Sequence, residues 1–311
     1  MHNEDDSGLS GGNGSFNAQS AMEYLATYGW AILIIALVLA ALFELGVFNS
    51  TTFAPRAAAG SCFVSRPYGP NTTNLISLEG TCENDIPKYV AEFNGEDSFI
   101  SIQNNSQINS VGPFTVSFWF DPFSYPQYSD VLVAHSHDSS GYAGNWWLEL
   151  YSNRLTFWVI NSGGSSSTIS YSSYVVNKYY FVVATFTGTQ MNLFVNGQQV
   201  SAPQTVGGGM EYMPGNIWIG SGKGSSPSSP GWYLNGTISN LQIYNSSFTG
   251  SDAAALYAEG IGGDPINIES LVAWYPLNGD NIDYSGNNNR IVACDNIVYT
   301  SSWTNGYTGA T

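Results

Sequence analysis

The chain has 311 residues, and its 23 acidic and 7 basic side chains give a net charge of −16. Such an acidic surface repels nucleic acid and excludes a nucleic-acid-binding function. Only three cysteines are present, and no spacing of cysteine and histidine predicts a zinc site.

A long apolar run lies near the N-terminus. From Tyr28 to Phe48 it has 21 residues, with Glu44 as the only charge. A helix rises about 1.5 Å per residue, so this run is long enough to cross a hydrocarbon core of about 30 Å. A secretory signal would place a basic region before the run and a small-residue cleavage site after it, and neither is present. The sequence therefore predicts one membrane-spanning helix within residues 19–49.

The residues at the start of this helix form the pattern Ala18-Gln19-Ser20-Ala21-Met22-Glu23-Tyr24-Leu25. The pattern resembles the class III signal of archaeal type IV pilins. The resemblance implies a leader of residues 1–18, cleavage after Ala18 and a mature protein that begins at Gln19. It also implies that Glu23 pairs with the α-amino group of a neighbouring subunit, so that the helices assemble a homo- or hetero-oligomer. The leader departs from the family in having no Lys or Arg. The alternative is a plain membrane anchor with an interfacial Glu.

A cytoplasmic leader would place the chain from Asn49 onward outside the cell, at the surface of the cell membrane. Residues 50–88 then form a linker, in which Cys62 and Cys82 are close enough in sequence to close a short disulfide loop. Cys294 is left over as a buried small hydrophobe, an intermolecular partner, or the true partner of one of the other two.

Residues 89–260 show short alternating segments separated by Gly, Asn, Ser and Pro clusters. The apolar positions of these segments include Phe114, Val116, Phe118, Phe120, Leu148, Leu150, Leu155, Phe157, Val159, Val182, Ala184, Phe186, Met191, Leu193, Val195, Ile217, Ile219, Ile238, Leu241 and Ile243. Turns are expected at Asn196-Gly197 and Asn235-Gly236. A short helix is expected at Asp252 to Glu259, with a cap at Ser251 or Asp252. This pattern predicts an antiparallel β-sandwich.

Five ordered segments of this region resemble the laminin-G-like, concanavalin A-like jelly rolls. They are Glu92-Phe93-Asn94-Gly95 with Phe99-Ile100-Ser101-Ile102, then Phe114-Thr115-Val116-Ser117-Phe118-Trp119, Leu193-Phe194-Val195-Asn196-Gly197, Ile219-Gly220, and Leu234 to Tyr244. The resemblance implies the jelly-roll fold. It leaves function open, because such domains include carbohydrate binders, adhesion modules and passive spacers.

No set of residues predicts catalysis or a resident cofactor. Retaining glycoside hydrolysis needs two carboxyl groups about 5 Å apart, and the strand around Glu149 offers one. Glu96 and Asp97 are adjacent and point to opposite faces of a strand. The cluster His135-Ser136-His137-Asp138 lacks a third histidine and is expected to be a solvated loop tip.

The alternation also places aromatic side chains on the non-core side of their strands. They are Trp119, Trp147, Tyr151, Trp158 and Phe194. Flat rings near polar groups such as Glu149 suit sugar binding, which combines apolar stacking with hydrogen bonds to hydroxyls. These six residues are therefore the candidate glycan site. The alternative is that the rings form cross-strand pairs for stability or are covered by another segment.

The C-terminal residues 261–294 contain Leu271 to Asp280 and Asp283 to Asn287, which resemble the opening strand and turn of a laminin-G-like domain. This strand completes the same sandwich or adds to a sheet of a neighbouring subunit. Asp280, Asp283 and Asn287 offer oxygens to Ca²⁺, but a turn-forming role is favoured. Residues 295–311 are expected to be an exposed tail.

Together these features predict a pilin-like cell-surface subunit, anchored in the membrane, whose laminin-G-like head binds glycans or a host surface. The alternatives are a membrane-anchored lectin that does not polymerise and an extracellular glycan-cleaving enzyme. The missing carboxylate pair disfavours the enzyme.

Overall fold

The computed structural model describes residues 15–44, 62–70, 72, 76–80, 86–136, 144–223 and 230–307. The chain divides into two units, Met1–Ala54 and Pro55–Thr311. The first contains helix α1, Ser15–Glu44. Its side chains are described for residues 28–42 and most are exposed, as Trp30 and Leu37 illustrate. Among the described residues, no helix is both long and apolar enough to span a membrane.

The predicted processing site lies within α1. The helix begins at Ser15 and continues through the junction of Ala18 and Gln19. The side chains of Ala18, Gln19 and Glu23 lie outside the described residues, so the pilin-like roles of these three residues stay predictions.

The second unit consists mainly of β-strands. In chain order they are β1 (Cys62–Ser65), β2 (Ser77–Gly80), β3 (Val90–Asn94), β4 (Phe99–Ile102), β5 (Phe114–Pro122), β6 (Ser129–Ser136), β7 (Gly144–Tyr151), β8 (Arg154–Ile160), β9 (Ser166–Tyr171), β10 (Tyr180–Phe186), β11 (Gln190–Val195), β12 (Gln198–Gln199), β13 (Gln204–Thr205), β14 (Ile217–Ile219), β15 (Gly222–Lys223), β16 (Pro230–Gly231), β17 (Asn235–Tyr244), β18 (Leu271–Tyr275), β19 (Ile291–Asp295) and β20 (Val298–Thr300). Helix α2 spans Gly250–Glu259, and a 3₁₀-helix spans Ser302–Gly306.

Two antiparallel sheets pack face to face. The nine-stranded sheet has the order β12-β11-β10-β5-β17-β3-β20, with β13 beside β11 and β18 beside β17. The seven-stranded sheet has the order β19-β4-β14-β6-β7-β8-β9. The inward side chains, among them Phe93, Phe118, Leu148 and Phe157, form one continuous core and are fully buried. Burial of each such side chain stabilises the fold by about 1.5–3 kcal/mol. The predicted antiparallel, jelly-roll-like sandwich is confirmed.

A second core covers the outer face of the nine-stranded sheet. Trp119 and Phe194 project from this face and pack in one cluster with Leu256 of α2 and Trp303 of the 3₁₀-helix. The helix is capped by Thr249, whose hydroxyl accepts from the backbone N–H of Asp252 in a capping box. The predicted cap at Ser251 or Asp252 is therefore wrong by two or three residues. Thr249 takes this position because its hydroxyl and the Asp252 carboxylate satisfy each other's backbone N–H groups.

The predicted linker contains a hairpin, β1–β2, which also belongs to the second core. Val64 is buried there. Arg66 follows β1 and donates hydrogen bonds to the carbonyl oxygens of Ser285, Thr72, Ile268 and Leu271. One guanidinium thus ties this segment to the C-terminal part of the chain, at distances of 2.7–3.2 Å.

The cysteine predictions have separate outcomes. Cys62 is buried, and its Sγ lies 3.3 Å from Oδ1 of Asp264. Cys82 lies outside the described residues, so the disulfide between Cys62 and Cys82 stays a prediction. Cys294 lies on β19 as a free, exposed cysteine. The alternatives in which Cys294 is buried or pairs with Cys62 or Cys82 are therefore wrong for this structure, and pairing with another molecule stays a prediction.

The C-terminal residues complete the same sandwich. Strand β18 pairs with β17 and β19 pairs with β4 of the same chain, which is the first of the two predicted alternatives. The exposed tail predicted for residues 295–311 is wrong for β20, which pairs with β3, and for the buried Trp303. Trp303 is ordered because it packs against the ring of Tyr179, 6.1 Å away between centroids.

Candidate functional site

Three tryptophans and one alanine form a row across the outer face of the seven-stranded sheet. Trp218 pairs with Ala134, Ala134 with Trp147, and Trp147 with Trp158, on β14, β6, β7 and β8. We call these four residues the tryptophan row. They face outward because their neighbours along each strand, such as Ile217 and Ile219, point into the core.

The rings of the tryptophan row are half-buried and closely packed. Trp147 and Trp158 stack with a centroid distance of 5.3 Å and an interplanar angle of 9°. Phe99 on β4 extends the row, since its ring lies 5.4 Å from that of Trp218. Among the described residues, Nε1 of Trp158 and Nε1 of Trp218 have no hydrogen-bond partner. These two nitrogens are buried, so the surface itself consists mainly of apolar ring faces.

Glu149 lies beside the stacked pair, two residues after Trp147 on β7. Its side chain is 8% exposed and accepts a 2.5 Å hydrogen bond from the Ser129 hydroxyl. Burial raises the pKa of the Glu149 carboxyl, and the Ser129 hydroxyl and the indoles of Trp147 and Trp158 partly offset that rise. An acceptor thus lies next to the rings.

Hydroxyl-bearing side chains on the neighbouring strands lie close to the Glu149 carboxylate. Thr156 pairs with Glu149, and Ser170 pairs with Thr156 and lies 3.0 Å from its hydroxyl. Tyr151, at the end of β7, is 48% exposed. The outer face of β7, β8 and β9 therefore offers acceptors and donors around an aromatic surface, which is the chemistry that sugar hydroxyls require.

The six predicted glycan residues divide between two sheets. Trp147, Glu149, Tyr151 and Trp158 lie together on the seven-stranded sheet. Trp119 and Phe194 lie on the nine-stranded sheet and are only 2% and 4% exposed. Their predicted role as surface contacts is wrong, because α2 and the C-terminal segment cover this face.

The contacts of Trp119 show how the cover is built. Its ring stacks on Tyr257 of α2 at 5.7 Å, and its Nε1 donates to the carbonyl oxygen of Gly260 at 3.1 Å. Trp218 and Phe99, which are half-buried members of the aromatic surface, were not predicted from the sequence. The signal for Trp218 was present, since the flanking Ile217 and Ile219 were predicted to be core.

The weak calcium candidates act within turns. The Asp283 carboxylate accepts hydrogen bonds from Trp274, Ser285 and Asn289. Asp280 accepts from Ile282 and Tyr284, and Asn287 donates to two backbone carbonyls. Within the described ranges, no group of three or more His, Cys, Asp or Glu side chains is placed to hold a metal ion. These contacts agree with the favoured turn-forming role.

The histidine cluster is only partly within the described residues. His135 is the penultimate residue of β6, and its side chain is fully buried, with Nε2 2.8 Å from Oδ1 of Asn109. The expected solvated loop tip is therefore wrong for His135, which the core of the sheet covers. His137 and Asp138 lie outside the described residues.

Comparisons with known proteins agree with this architecture. The SAP-like pentraxin of Limulus polyphemus is similar with a TM-score of 0.51 and 16% identity, over 69% of this chain and 95% of the pentraxin. A candidate carbohydrate-binding protein of Bacteroides ovatus is similar with a TM-score of 0.50 and 14% identity, over 72% of this chain and 63% of the other. At these identities the likeness concerns the fold. A search of curated proteins finds no match. The model of the concanavalin A-like lectin/glucanases superfamily matches residues 94–254, and the chain therefore belongs to this superfamily.

Proposed function

We propose that the β-sandwich binds glycans through the tryptophan row and Glu149. The single observation that carries the proposal is the stacked pair of Trp147 and Trp158 with a buried carboxylate directly beside it. Both solved structures named above share the fold, and one of them is a candidate carbohydrate binder. The chemistry of the face therefore supports the proposal together with the fold.

Binding would divide between rings and polar groups. The apolar C–H face of a pyranose packs on the accessible part of the indoles, and its hydroxyls donate to Glu149. The neighbours of Glu149 in register are Val131 and Thr156, neither of which is a carboxylate. Binding without cleavage is therefore the proposed activity.

The test compares glycan-array binding of the full chain with that of Trp147→Ala and Trp158→Ala. Each substitution removes stacking area at the centre of the surface and is expected to weaken binding about tenfold or more. Tyr68→Ala is the matched control, because Tyr68 is an exposed aromatic residue near the β1–β2 hairpin and outside the seven-stranded sheet. Binding that survives both tryptophan substitutions, or a parent chain that binds no glycan, would refute the assignment.

We further propose that the head is displayed on the outside of the cell by the N-terminal helix, as a pilin-like subunit in adhesion. Support comes from the run of Tyr28 to Phe48 and the pattern of Ala18, Gln19 and Glu23 in the sequence. A membrane-anchored lectin that does not polymerise is the alternative. Recovery of the protein in filaments would separate the two.

A further inference from the structure

A pocket of about 240 Å³ opens on the outer face of the nine-stranded sheet, on the side of the sandwich opposite the tryptophan row. Asp121, Thr237 and Glu92 form its floor in one row, because Thr237 on β17 pairs with Asp121 on β5 and with Glu92 on β3. Adjacent strands lie about 4.8 Å apart, so the two acidic residues are separated by about 10 Å at the backbone. Two carboxylates thus flank one hydroxyl.

Aromatic rings form the walls. The remaining lining residues are Phe123, Asn177, Tyr179, Thr300, Ser302 and Trp303. Tyr179 is held in place by a 2.8 Å hydrogen bond between its hydroxyl and that of Thr237, and its ring packs edge-on against Trp303. None of the described residues that line the pocket is basic.

Asp121 is the unusual member of the set. Its side chain is 5% exposed, and Oδ1 has no hydrogen-bond partner among the described residues. A buried carboxylate oxygen without a hydrogen-bond partner loses its hydration with no compensating interaction, which is unfavourable. The backbone N–H of Lys178 favours the charged form of Asp121, but burial is the larger effect on its pKa. A positively charged group in the pocket, which Asp121 lines, would offset the unfavourable burial of this negative charge.

The geometry points to a binding site for a small primary ammonium group, held between the carboxylates of Asp121 and Glu92 and the rings of Tyr179 and Trp303. An ammonium carries three N–H donors and one charge, which suits two carboxylates and the Thr237 hydroxyl. Aromatic faces attract the same cation and cover its alkyl portion. A divalent metal fits less well, because the described residues here provide two acidic ligands rather than three.

The experiment titrates the full chain with n-butylammonium chloride and, as the uncharged isostere, with n-butanol, using calorimetry. We expect n-butylammonium to bind at millimolar concentrations and n-butanol to bind about tenfold more weakly or not at all. Tetramethylammonium, a cation without N–H donors, is also expected to bind more weakly.

Substitutions of the two acidic pocket residues test whether n-butylammonium binds in this pocket. Asp121→Asn preserves shape and removes the charge, and Glu92→Gln does the same at a half-buried position. Each should lower n-butylammonium affinity about tenfold. Glu269→Gln, at an exposed carboxylate outside the pocket, should leave the affinity unchanged. Equal binding of n-butylammonium and n-butanol, no detectable binding of n-butylammonium, or unchanged affinity in both pocket variants would overturn the proposal.

Discussion

At the scale of single residues, buried carboxyls make the stability of the fold depend on pH. Burial raises the pKa of Asp121 and of Asp130 from 3.8 to about 6. Between these values the folded state binds more protons than the unfolded state, so the free energy of unfolding falls as pH rises from about 4 to 6. The charged forms above pH 6 therefore destabilise the fold.

Replacing Asp121 with Asn should remove the contribution of this carboxyl to the pH dependence of the free energy of unfolding. The neutral amide has nearly the same shape and needs no desolvation of a charge, so we expect stabilisation by about 1–3 kcal/mol at pH 7 and little change at pH 4. Urea denaturation of the parent and of Asp121→Asn at both pH values measures the difference. Parallel stability curves would show that Asp121 is adequately solvated through the pocket.

The aromatic residues show how far the sequence could predict single side chains. Alternation placed Trp119, Trp147, Trp158 and Phe194 on the correct side of their strands, outside the core between the sheets. It could not predict which outer face is covered. That depends on α2 and the C-terminal segment, which come more than 100 residues later in the chain than Trp119 and bring no local signal to its strand.

At the scale of elements, α2 and the 3₁₀-helix make the two outer faces unlike one another. Trp119→Ala leaves a cavity under α2 and loses the hydrogen bond to Gly260, so a loss of about 3–5 kcal/mol in unfolding free energy is expected. Trp158→Ala, from the half-buried row, should cost clearly less, about 1–2 kcal/mol. Thermal and urea denaturation of the two variants give the comparison. Similar losses would mean that the row is structural and would weaken the glycan proposal.

Elements with strong alternation could be predicted, and short ones could not. Strands β5, β8 and β10 carry core positions at every second residue, so their period of two is readable. β1, β19 and β20 have three to five residues each. They form through pairing with distant strands, which a local pattern does not encode. The sequence did not predict the acidic pocket for the same reason, because Glu92, Asp121 and Thr237 become neighbours only through strand pairing.

At the scale of the whole molecule, the function proposed for the head depends on where the head is displayed. The resemblance of residues 18–25 to the class III pilin signal predicts a mature chain that begins at Gln19 and retains its apolar helix. Mass spectrometry of the protein extracted from membranes determines its mature N-terminus directly. An intact leader, or cleavage after Phe48, would leave the β-sandwich and its sites unchanged but would remove the pilin-like display.

Assembly gives the sharper test of the same prediction. In the proposed filament, Glu23 pairs with the α-amino group of Gln19 on a neighbouring subunit, and such a pair offsets a desolvation cost of several kcal/mol per charge. Glu23→Ala should therefore insert into membranes normally but lower the yield of filaments strongly, as judged by shearing and sedimentation of cells. Glu44→Ala is the matched control, because Glu44 is the last residue of α1 and lies far from the new N-terminus. Equal filament yield from Glu23→Ala and Glu44→Ala would show that the proposed charge pair is unnecessary for assembly, whereas a parent chain that forms no filaments would favour the membrane-anchored lectin.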